Sequence, residues 1–300
     1  MSERPPGAHV PNGLPAPIET PAPTEPRAHA DAPESAPATR TFRMTVEYDG
    51  TDFFGWQVQP GRRTVQGEIE DAIAAATGER VRVTGAGRTD RGVHALGQVA
   101  SFDSATALDG PTIGRALNAR LARDATVRGV TEAPRGWSAR RNAISRLYAY
   151  RIVRRRAPMS RRDAWEMWAR LDIESMRAAS ERLIGARDMI AFATSPPEGK
   201  SGEVNLMRVV WREEPGLLIA EFEADRFLRG MVRTMVGTLI EVGRGRRAPE
   251  DVDRVIASRD RSQAGPTAPA RGLCLVAVRY PGDPRSGSAA APAPAAGIRG

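Results

Sequence analysis

The 300-residue chain is poor in several residue types that build common reactive sites. It has one cysteine, Cys274, and three histidines, so a disulfide framework is excluded and a zinc site of Cys and His ligands would be hard to assemble. Lys200 is the single lysine among 44 basic residues, which leaves little scope for Schiff-base chemistry. No apolar run approaches the roughly 18 residues of a membrane span. The reactive groups that remain belong to Asp, Glu, Ser, Thr, Tyr and His94.

Arginine, by contrast, is abundant, and the formal net charge is +8. A basic chain suggests a polyanionic partner, with nucleic acid as the first candidate. The alternative is that a GC-rich coding bias raises arginine and alanine together without any binding function. Charge alone does not decide between these readings, because net charge bears on association and not on fold.

Both ends of the chain differ in composition from its middle. Residues 1–40 hold ten prolines and no apolar segment of the kind found in signal peptides, so they are expected to form a disordered Pro/Ala-rich extension. Residues 283–300 are rich in Ala, Pro and Gly and are expected to form a disordered tail. The missing export signal and the unpaired cysteine favour a cytoplasmic location.

The body, residues 41–282, mixes strand and helix signals without strict alternation. Phe42, Met44, Val46 and Tyr48 alternate with polar residues, which predicts a half-buried first strand. Further strands are predicted at 81–83, 98–102, 127–130, 147–153, 206–212, 217–224 and 273–280, and helices near Thr64 to Gly78, from Pro111, at 173–184 and at 227–242. We therefore predict an α+β fold of two similar α/β-sandwich-like halves, 41–140 and 141–282, on a mainly antiparallel sheet.

The most informative segment is the glycine-rich turn from Gly85 to Ala95. A dinucleotide fingerprint would need a glycine in place of Asp90 and a helix after it, and the Gly-Lys-Ser/Thr of a P-loop is also missing. It does place Asp90 between Arg88 and Arg91, which would keep the carboxylate ionised as a nucleophile or base. The alternative is a turn aspartate in an ordinary surface ion pair. His94 is the one histidine of the body, and a structural role is favoured for it.

Three arginines in, or just before, the predicted helix 227–242 are spaced so that a helix would place them on one face. Arg226, Arg229 and Arg233 lie at i, i+3 and i+7, which would place them on one stripe. Such a stripe is either an exposed, snorkelling face or a means for one arginine to reach a buried carboxylate.

Several sequence blocks resemble the bacterial tRNA pseudouridine synthase A family, and they occur in the family's order. The blocks are Tyr48-Asp49-Gly50, Phe54-Gly55-Trp56-Gln57, Thr64-Val65-Gln66-Gly67, Gly87-Arg88-Thr89-Asp90-Arg91-Gly92-Val93-His94-Ala95, Arg146-Leu147-Tyr148-Ala149-Tyr150, Phe227-Leu228-Arg229-Gly230-Met231-Val232-Arg233 with Val236-Gly237, and Ala268-Pro269-Ala270-Arg271-Gly272-Leu273. They span nearly all of residues 41–282.

This resemblance implies a pseudouridine synthase fold with an active-site cleft between the two halves. It implies isomerisation of uridines at positions 38–40 of the tRNA anticodon stem-loop, without a cofactor or a metal, by a homodimer in which one tRNA contacts both subunits. Asp90 would be the nucleophile, with Arg88 beside it. Tyr148 would contact the target uracil, Arg233 would pair with Asp90, and Leu273 would pack beside the base.

A second group of arginines is predicted to contact RNA phosphates, which would give salt-dependent affinity without base specificity. Its members are Arg154, Arg155, Arg156, Arg161, Arg162, Arg244, Arg246 and Arg247. The competing interpretation of each is a solvated charge on a loop.

Two other functional classes stay open from the residues alone. One is a non-catalytic RNA-binding or RNA-folding module on the same scaffold. The other is an aspartate-dependent glycosidase or nuclease, although no second carboxylate sits near Asp90 in the sequence to make the usual pair. The sequence also leaves open whether Asp90 would attack C6 of the base, attack C1′, or remove a sugar proton.

Overall fold

The structure, a computed structural model, describes residues 38–195 and 201–283. The predicted extension 1–40 and tail 283–300 therefore lie almost entirely outside the described residues. Within the described ranges, none of the helices combines the length and the apolar character needed to cross a bilayer.

Ten strands and five α-helices make up the described chain. The strands are β1 Arg40–Tyr48, β2 Thr84–Gly85, β3 His94–Ser104, β4 Ala125–Ala133, β5 Ser145–Val153, β6 Trp165–Glu166, β7 Gly185–Asp188, β8 Glu203–Glu214, β9 Leu217–Ala224 and β10 Leu273–Arg279. The helices are α1 Val65–Thr77, α2 Gly110–Asn118, α3 Ile173–Glu181, α4 Met231–Gly243 and α5 Asp251–Ser258.

All ten strands belong to one mixed sheet, in which β4-β1-β3-β10-β5-β9-β8-β7 form the path, β2 pairs with β3 and β6 pairs with β5. The β3–β10 and β5–β6 pairings are parallel and the others are antiparallel. The last strand thus lies between β3 and β5, where Cys274 is opposite both His94 and Ala149. These findings are compatible with the predicted α+β class and its mainly antiparallel sheet.

Local sequence signals set the beginnings of several helices as expected. The Thr64 side chain accepts a hydrogen bond from the Gly67 amide at the start of α1, and Gly78 ends the helix with φ +78°. Asp109 caps α2, whose first turn contains Pro111. These caps satisfy amides that have no partner inside the helix.

Few aromatic residues are present, but most of them are buried in one large core. The rings of Phe42 and Phe102 stack at 5.3 Å across β1 and β3. Tyr150 is fully buried on β5, and its hydroxyl donates to the Pro269 carbonyl at 2.8 Å. The same apolar cluster includes side chains from α4, so one core covers the sheet from β1 to β8. Burial of this apolar area is the main force that holds the strand order.

The helix predicted at 227–242 begins four residues later, at Met231. Gly230 adopts φ +69°, and a Cβ there would lie 2.4 Å from Thr194 Cγ2. The Thr194 amide donates to the Arg229 carbonyl at 2.9 Å, so this segment is held in a non-helical conformation by tertiary contacts. Arg226 and Arg229 consequently precede the helix, and the predicted helical stripe is wrong.

Two smaller expectations also fail. Residues 81–83 are not a strand; the short strand β2 follows them at Thr84–Gly85. The helix predicted at 173–184 ends at Glu181, and turns lead into β7. The Val83 amide donates to Glu70 of α1, so a side chain and not a neighbouring strand takes this backbone bond. The amides of Leu183 and Ile184 donate to the Ser180 and Glu181 carbonyls, in turns that end the helix.

Gly237 in α4 provides a test of this packing. A Cβ at Gly237 would lie 1.7 Å from the Pro266 carbonyl oxygen, so Gly237→Ala must push a backbone segment away from the helix. We expect Gly237→Ala to lower the free energy of unfolding by about 1–3 kcal/mol or more. At Gly114 in α2 a Cβ would meet only Val130 Cγ2, at 3.2 Å. Gly114→Ala should therefore change stability by less than about 1 kcal/mol, because helix propensity offsets the tight contact. Equal urea-unfolding midpoints for the two variants would contradict this assignment.

Candidate active site

The turn that carries Asp90 is fixed from inside the sheet by a buried glutamine and a buried arginine. Gln98 on β3 donates from Nε2 to the Gly87 carbonyl at 2.6 Å and accepts from the Gly87 amide at 3.3 Å. The Arg146 Nη2 donates to the Ala86 carbonyl at 2.9 Å. The carbonyls of Ala86 and Gly87, shortly before Asp90, are therefore both hydrogen-bonded to buried side chains.

The Arg146 guanidinium is buried, and its hydrogen bonds go to backbone carbonyls. They are accepted by Ala86, Ala143, Asp225 and Arg140. Burial lowers the pKa of Arg146 from its ordinary value, because the charged form loses hydration. One side chain thus joins the Asp90 turn to the segment before β5 and to the end of β9.

The opposite side of the turn rests on the segment after β1. Tyr48 and Thr89 share a hydroxyl–hydroxyl hydrogen bond of 2.8 Å, and the Trp56 amide donates to the Thr89 carbonyl at 3.1 Å. Gly55 has φ +89°, and a Cβ there would lie 2.5 Å from the Thr89 carbonyl oxygen. These supports were not among the predicted site residues. Gly50 and Gly55 were the sequence signal for these supports, because a backbone segment can approach another this closely only at a residue without a side chain.

Asp90 lies at the tip of this turn with its side chain 29% exposed. Arg233 Nη1 is 3.6 Å from Asp90 Oδ2, and Arg229 Nε is 3.7 Å from Oδ1. These distances are too long for hydrogen bonds, so both oxygens keep lone pairs available while two positive charges stabilise the anion.

The flanking arginines expected to hold Asp90 do not provide its ion pairs in the described chain. Arg88 is exposed, and the Arg91 guanidinium lies over the Phe54 ring at 4.3 Å. Adjacent side chains on a tight turn point in different directions, so sequence proximity was misleading. Arg229, which the sequence analysis noted only for its spacing, is a cation of the site that the predicted site residues did not include.

Arg233 is held in place independently of Asp90. Its Nε donates to the Ala268 carbonyl at 2.7 Å, and the Ala268 amide donates to the Arg233 carbonyl at 3.0 Å. The Arg233 side chain is 20% exposed, whereas that of Arg229 is 72% exposed. Arg233 is thus a fixed cation in the site, and Arg229 is one that solvent or a ligand can reach.

Tyr148 is buried on β5 and faces the same turn. A Cβ at Gly87 would be 3.5 Å from the Tyr148 hydroxyl oxygen, and the Tyr148 ring meets Phe227 edge to face at 5.2 Å. Burial first, and then the negative charge of Asp90, raise the pKa of Tyr148. Leu273, the first residue of β10, is buried and lies opposite Tyr150 in the register.

Comparison with known proteins identifies the family of this chain. The family model for tRNA pseudouridine synthase matches residues 44–140 and 179–281, which include the Asp90 turn, α4 and β10 but not β5. The chain belongs to this family.

Curated relatives named tRNA pseudouridine synthase A match at nearly their whole length. The protein of Geotalea uraniireducens is 40% identical over 243 residues, covering 80% of this chain and 100% of its own. That of Caulobacter vibrioides is 43% identical over 242 residues (80% and 98%), and that of Chloroflexus aurantiacus is 45% identical over 251 residues (81% and 89%).

In this family member the arginines predicted to contact phosphates do not form one group. Arg154 pairs with Glu213 at 3.4 Å, and Arg247 pairs with Glu241 at 2.7 Å. The exposed side chains among the others are Arg155, Arg156, Arg161, Arg162, Arg244 and Arg246. The set follows two separate elements, β5 and α4, so these six arginines share exposure and not proximity. Across the described ranges, no three His, Cys, Asp or Glu side chains are grouped to hold a metal ion.

The four tyrosines of the chain supply a pH test of this core. Burial raises the pKa of Tyr48, Tyr148, Tyr150 and Tyr280 above the ordinary 10.0. Each neutral phenol stabilises the fold fully below pH 10, and that contribution is lost as pH rises towards the folded pKa. Absorbance at 295 nm should thus rise only together with unfolding monitored by circular dichroism. A tyrosinate transition near pH 10 with the near-UV signal intact would disprove the burial of at least one ring.

Proposed function

We propose that this protein isomerises uridines at positions 38–40 of the tRNA anticodon stem-loop to pseudouridine, with Asp90 as the nucleophile. The observation that carries the proposal is the placement of one accessible carboxylate between Arg229 and Arg233, beside the buried Tyr148. The full-length match to relatives named tRNA pseudouridine synthase A supplies the reaction and the RNA.

The reaction is an isomerisation, and it balances without another reactant. The N1–C1′ bond of uridine breaks, a C5–C1′ bond forms, the C5 proton is released and N1 gains a proton. One carboxylate serves each of the three routes considered above, since attack at C1′, attack at C6 and removal of a sugar proton all use the same anion. The guanidinium of Arg233, 3.6 Å from Asp90 Oδ2, places a positive charge beside the carboxylate in any of them.

A paired or stacked uridine cannot reach Asp90, so the base must leave the helix. The Tyr148 ring, held edge to face by Phe227, provides an apolar surface for the flipped uracil. Leu273 closes the apolar side of the pocket, and Arg88 contacts the RNA from the exposed side of the turn. Arg229, the accessible cation beside Asp90, binds RNA together with Arg233 after the stem opens.

The exposed members of the arginine set following β5 and α4 bind backbone phosphates, and the ion-paired Arg154 and Arg247 join them at the edges of that surface. The halves 41–140 and 141–282 form the two walls of the cleft. The protein works in the cytoplasm.

The protein acts as a homodimer in which one tRNA contacts both subunits. Sedimentation equilibrium should give twice the 32.4 kDa of one chain at micromolar concentration. A mass that stays at 32.4 kDa across the concentration range would reject the dimer without touching the reaction.

The reaction is tested by tritium release from tRNA transcript labelled with [5-³H]uridine, because C5 must lose its hydrogen when it bonds to C1′. The wild-type protein should release tritium from the anticodon arm without added metal or nucleotide. Asp90→Asn should lower the rate of tritium release by at least about 10³-fold, because the amide cannot act as the nucleophile. Binding of tRNA by this variant should persist.

Asp71→Asn, an exposed change of the same chemistry on α1, is the matched control and should behave as wild type. Release by Asp90→Asn at the normal rate would show that Asp90 is not the nucleophile. No release by the wild type, with tight binding of the same RNA, would favour the non-catalytic RNA-binding module.

A further inference from the structure

A concave site lies next to the Asp90 turn and includes Arg91 and Gly92. It is a pocket of about 310 Å³ lined by Thr51, Arg91, Gly92, Arg161, Arg162, Ala270 and Arg271. Four of these seven residues are arginines, and none is acidic. A concave surface with this charge selects an anion.

The charges of this pocket are largely uncompensated in the described part of the chain. Arg162 has a carboxylate at ion-pair distance, with Nη1 3.8 Å from Asp49 Oδ2. The nearby Asp163 is engaged by Arg151 at 2.7 Å. The other arginines of the pocket are held by neutral groups, so their positive charge stays available to a ligand.

Those neutral groups also fix where the guanidiniums lie. Arg91 stacks over the Phe54 ring at 4.3 Å, Arg161 Nη1 donates to the Pro158 carbonyl at 3.2 Å, and Arg271 Nε donates to the Ala164 carbonyl at 3.2 Å. Each bond uses part of one guanidinium and leaves further N–H donors of the same group unused. Donors fixed in advance lose less entropy when they bind an anion.

His94 ties together two of the segments that line the pocket. Its Nδ1 accepts from the Gly50 amide at 3.1 Å, and its Nε2 lies 2.9 Å from the Arg162 carbonyl. His94 Nδ1 also lies 3.1 Å from Asp49 Oδ1, so the ring contacts a carboxylate as well as the backbone of these segments. This gives His94 the structural role that the sequence favoured and fixes the backbone beside Arg161 and Arg162.

The pocket is directly continuous with the proposed catalytic turn. Arg91 follows Asp90 in the chain, and a Cβ at Gly92 would contact the Ala270 Cβ at 3.4 Å. A polyanion whose nucleotide enters beside Asp90 must therefore carry its neighbouring backbone past these guanidiniums. Arginine forks match the geometry of phosphate oxygens.

We propose that the pocket of Arg91, Arg161, Arg162 and Arg271 binds a backbone phosphate close to the uridine that enters the Asp90 site. This inference rests on the proposed function for the identity of the RNA. It assigns Arg91 and Arg271 to RNA binding, and it separates Arg161 and Arg162 from the more distant arginines after α4.

The test compares two double variants that each remove two positive charges. Arg161→Gln with Arg162→Gln alters the pocket and keeps the backbone bonds of both residues. Arg80→Gln with Arg82→Gln is the matched control, because both arginines are exposed in the segment after α1. The neighbouring Glu79 accepts a hydrogen bond from Ser104 at the last residue of β3, whereas His94, beside the pocket, is the first residue of that strand. Melting curves of both variants show that the fold is retained.

Affinity is measured with unmodified tRNA transcript over a range of salt concentrations. The pocket variant should bind roughly tenfold more weakly, and the slope of log K against log salt concentration should be smaller by about one. The control variant should retain the wild-type Kd and slope. Wild-type affinity of the pocket variant, or an equal loss in the control, would overturn the proposal.

An anticodon stem-loop RNA with single methylphosphonate linkages locates the phosphate. One neutral linkage near the target uridine should weaken binding to the wild type and have no further effect on the pocket variant. Fully additive effects at every linkage would also overturn the proposal. Since these readouts are binding constants, failure of the proposed function shows separately, as absence of tritium release from the wild type.

Discussion

The buried guanidinium of Arg146 is the interaction on which the geometry of the site depends. It lies on β5, in the middle of the sheet, and bonds carbonyls of the Asp90 turn, of the segment before β5 and of Asp225 after β9. A buried cation bonded to several carbonyl dipoles tolerates little displacement, because each lost bond leaves a desolvated polar group. The turn is consequently fixed to the sheet before any ligand arrives.

The polar side chains around this fixed turn have separate roles. Gln98 and Tyr48 hold backbone and hydroxyl groups of the turn, and neither contacts the carboxylate of Asp90. Arg233 brings its charge from α4 while its own Nε stays bonded to Ala268. Asp90 keeps open lone pairs as a result, which a nucleophile requires and which a tightly hydrogen-bonded aspartate would lack.

Local signals such as helix caps explain why much of the secondary structure could be predicted from the sequence. The start of α1 at Thr64 and the alternation in β1 depend on a few residues, and each was found where the sequence indicated. The start of α4 was misjudged because Gly230 and its contact with Thr194 depend on a segment far away in the chain. Periodicity cannot register such a contact.

The sequence by itself determined the α+β class, the Asp90 turn and the family, since these depend on local pattern and on motifs that retain their order. Only the tertiary structure decided which cations face Asp90 and which face the pocket behind it. Arg88 and Arg91 are its neighbours in sequence, yet Arg229 and Arg233 reach it from a remote segment. Coulomb attraction acts through space, and the distances that set it exist only after the sheet has brought β3, β5 and α4 together.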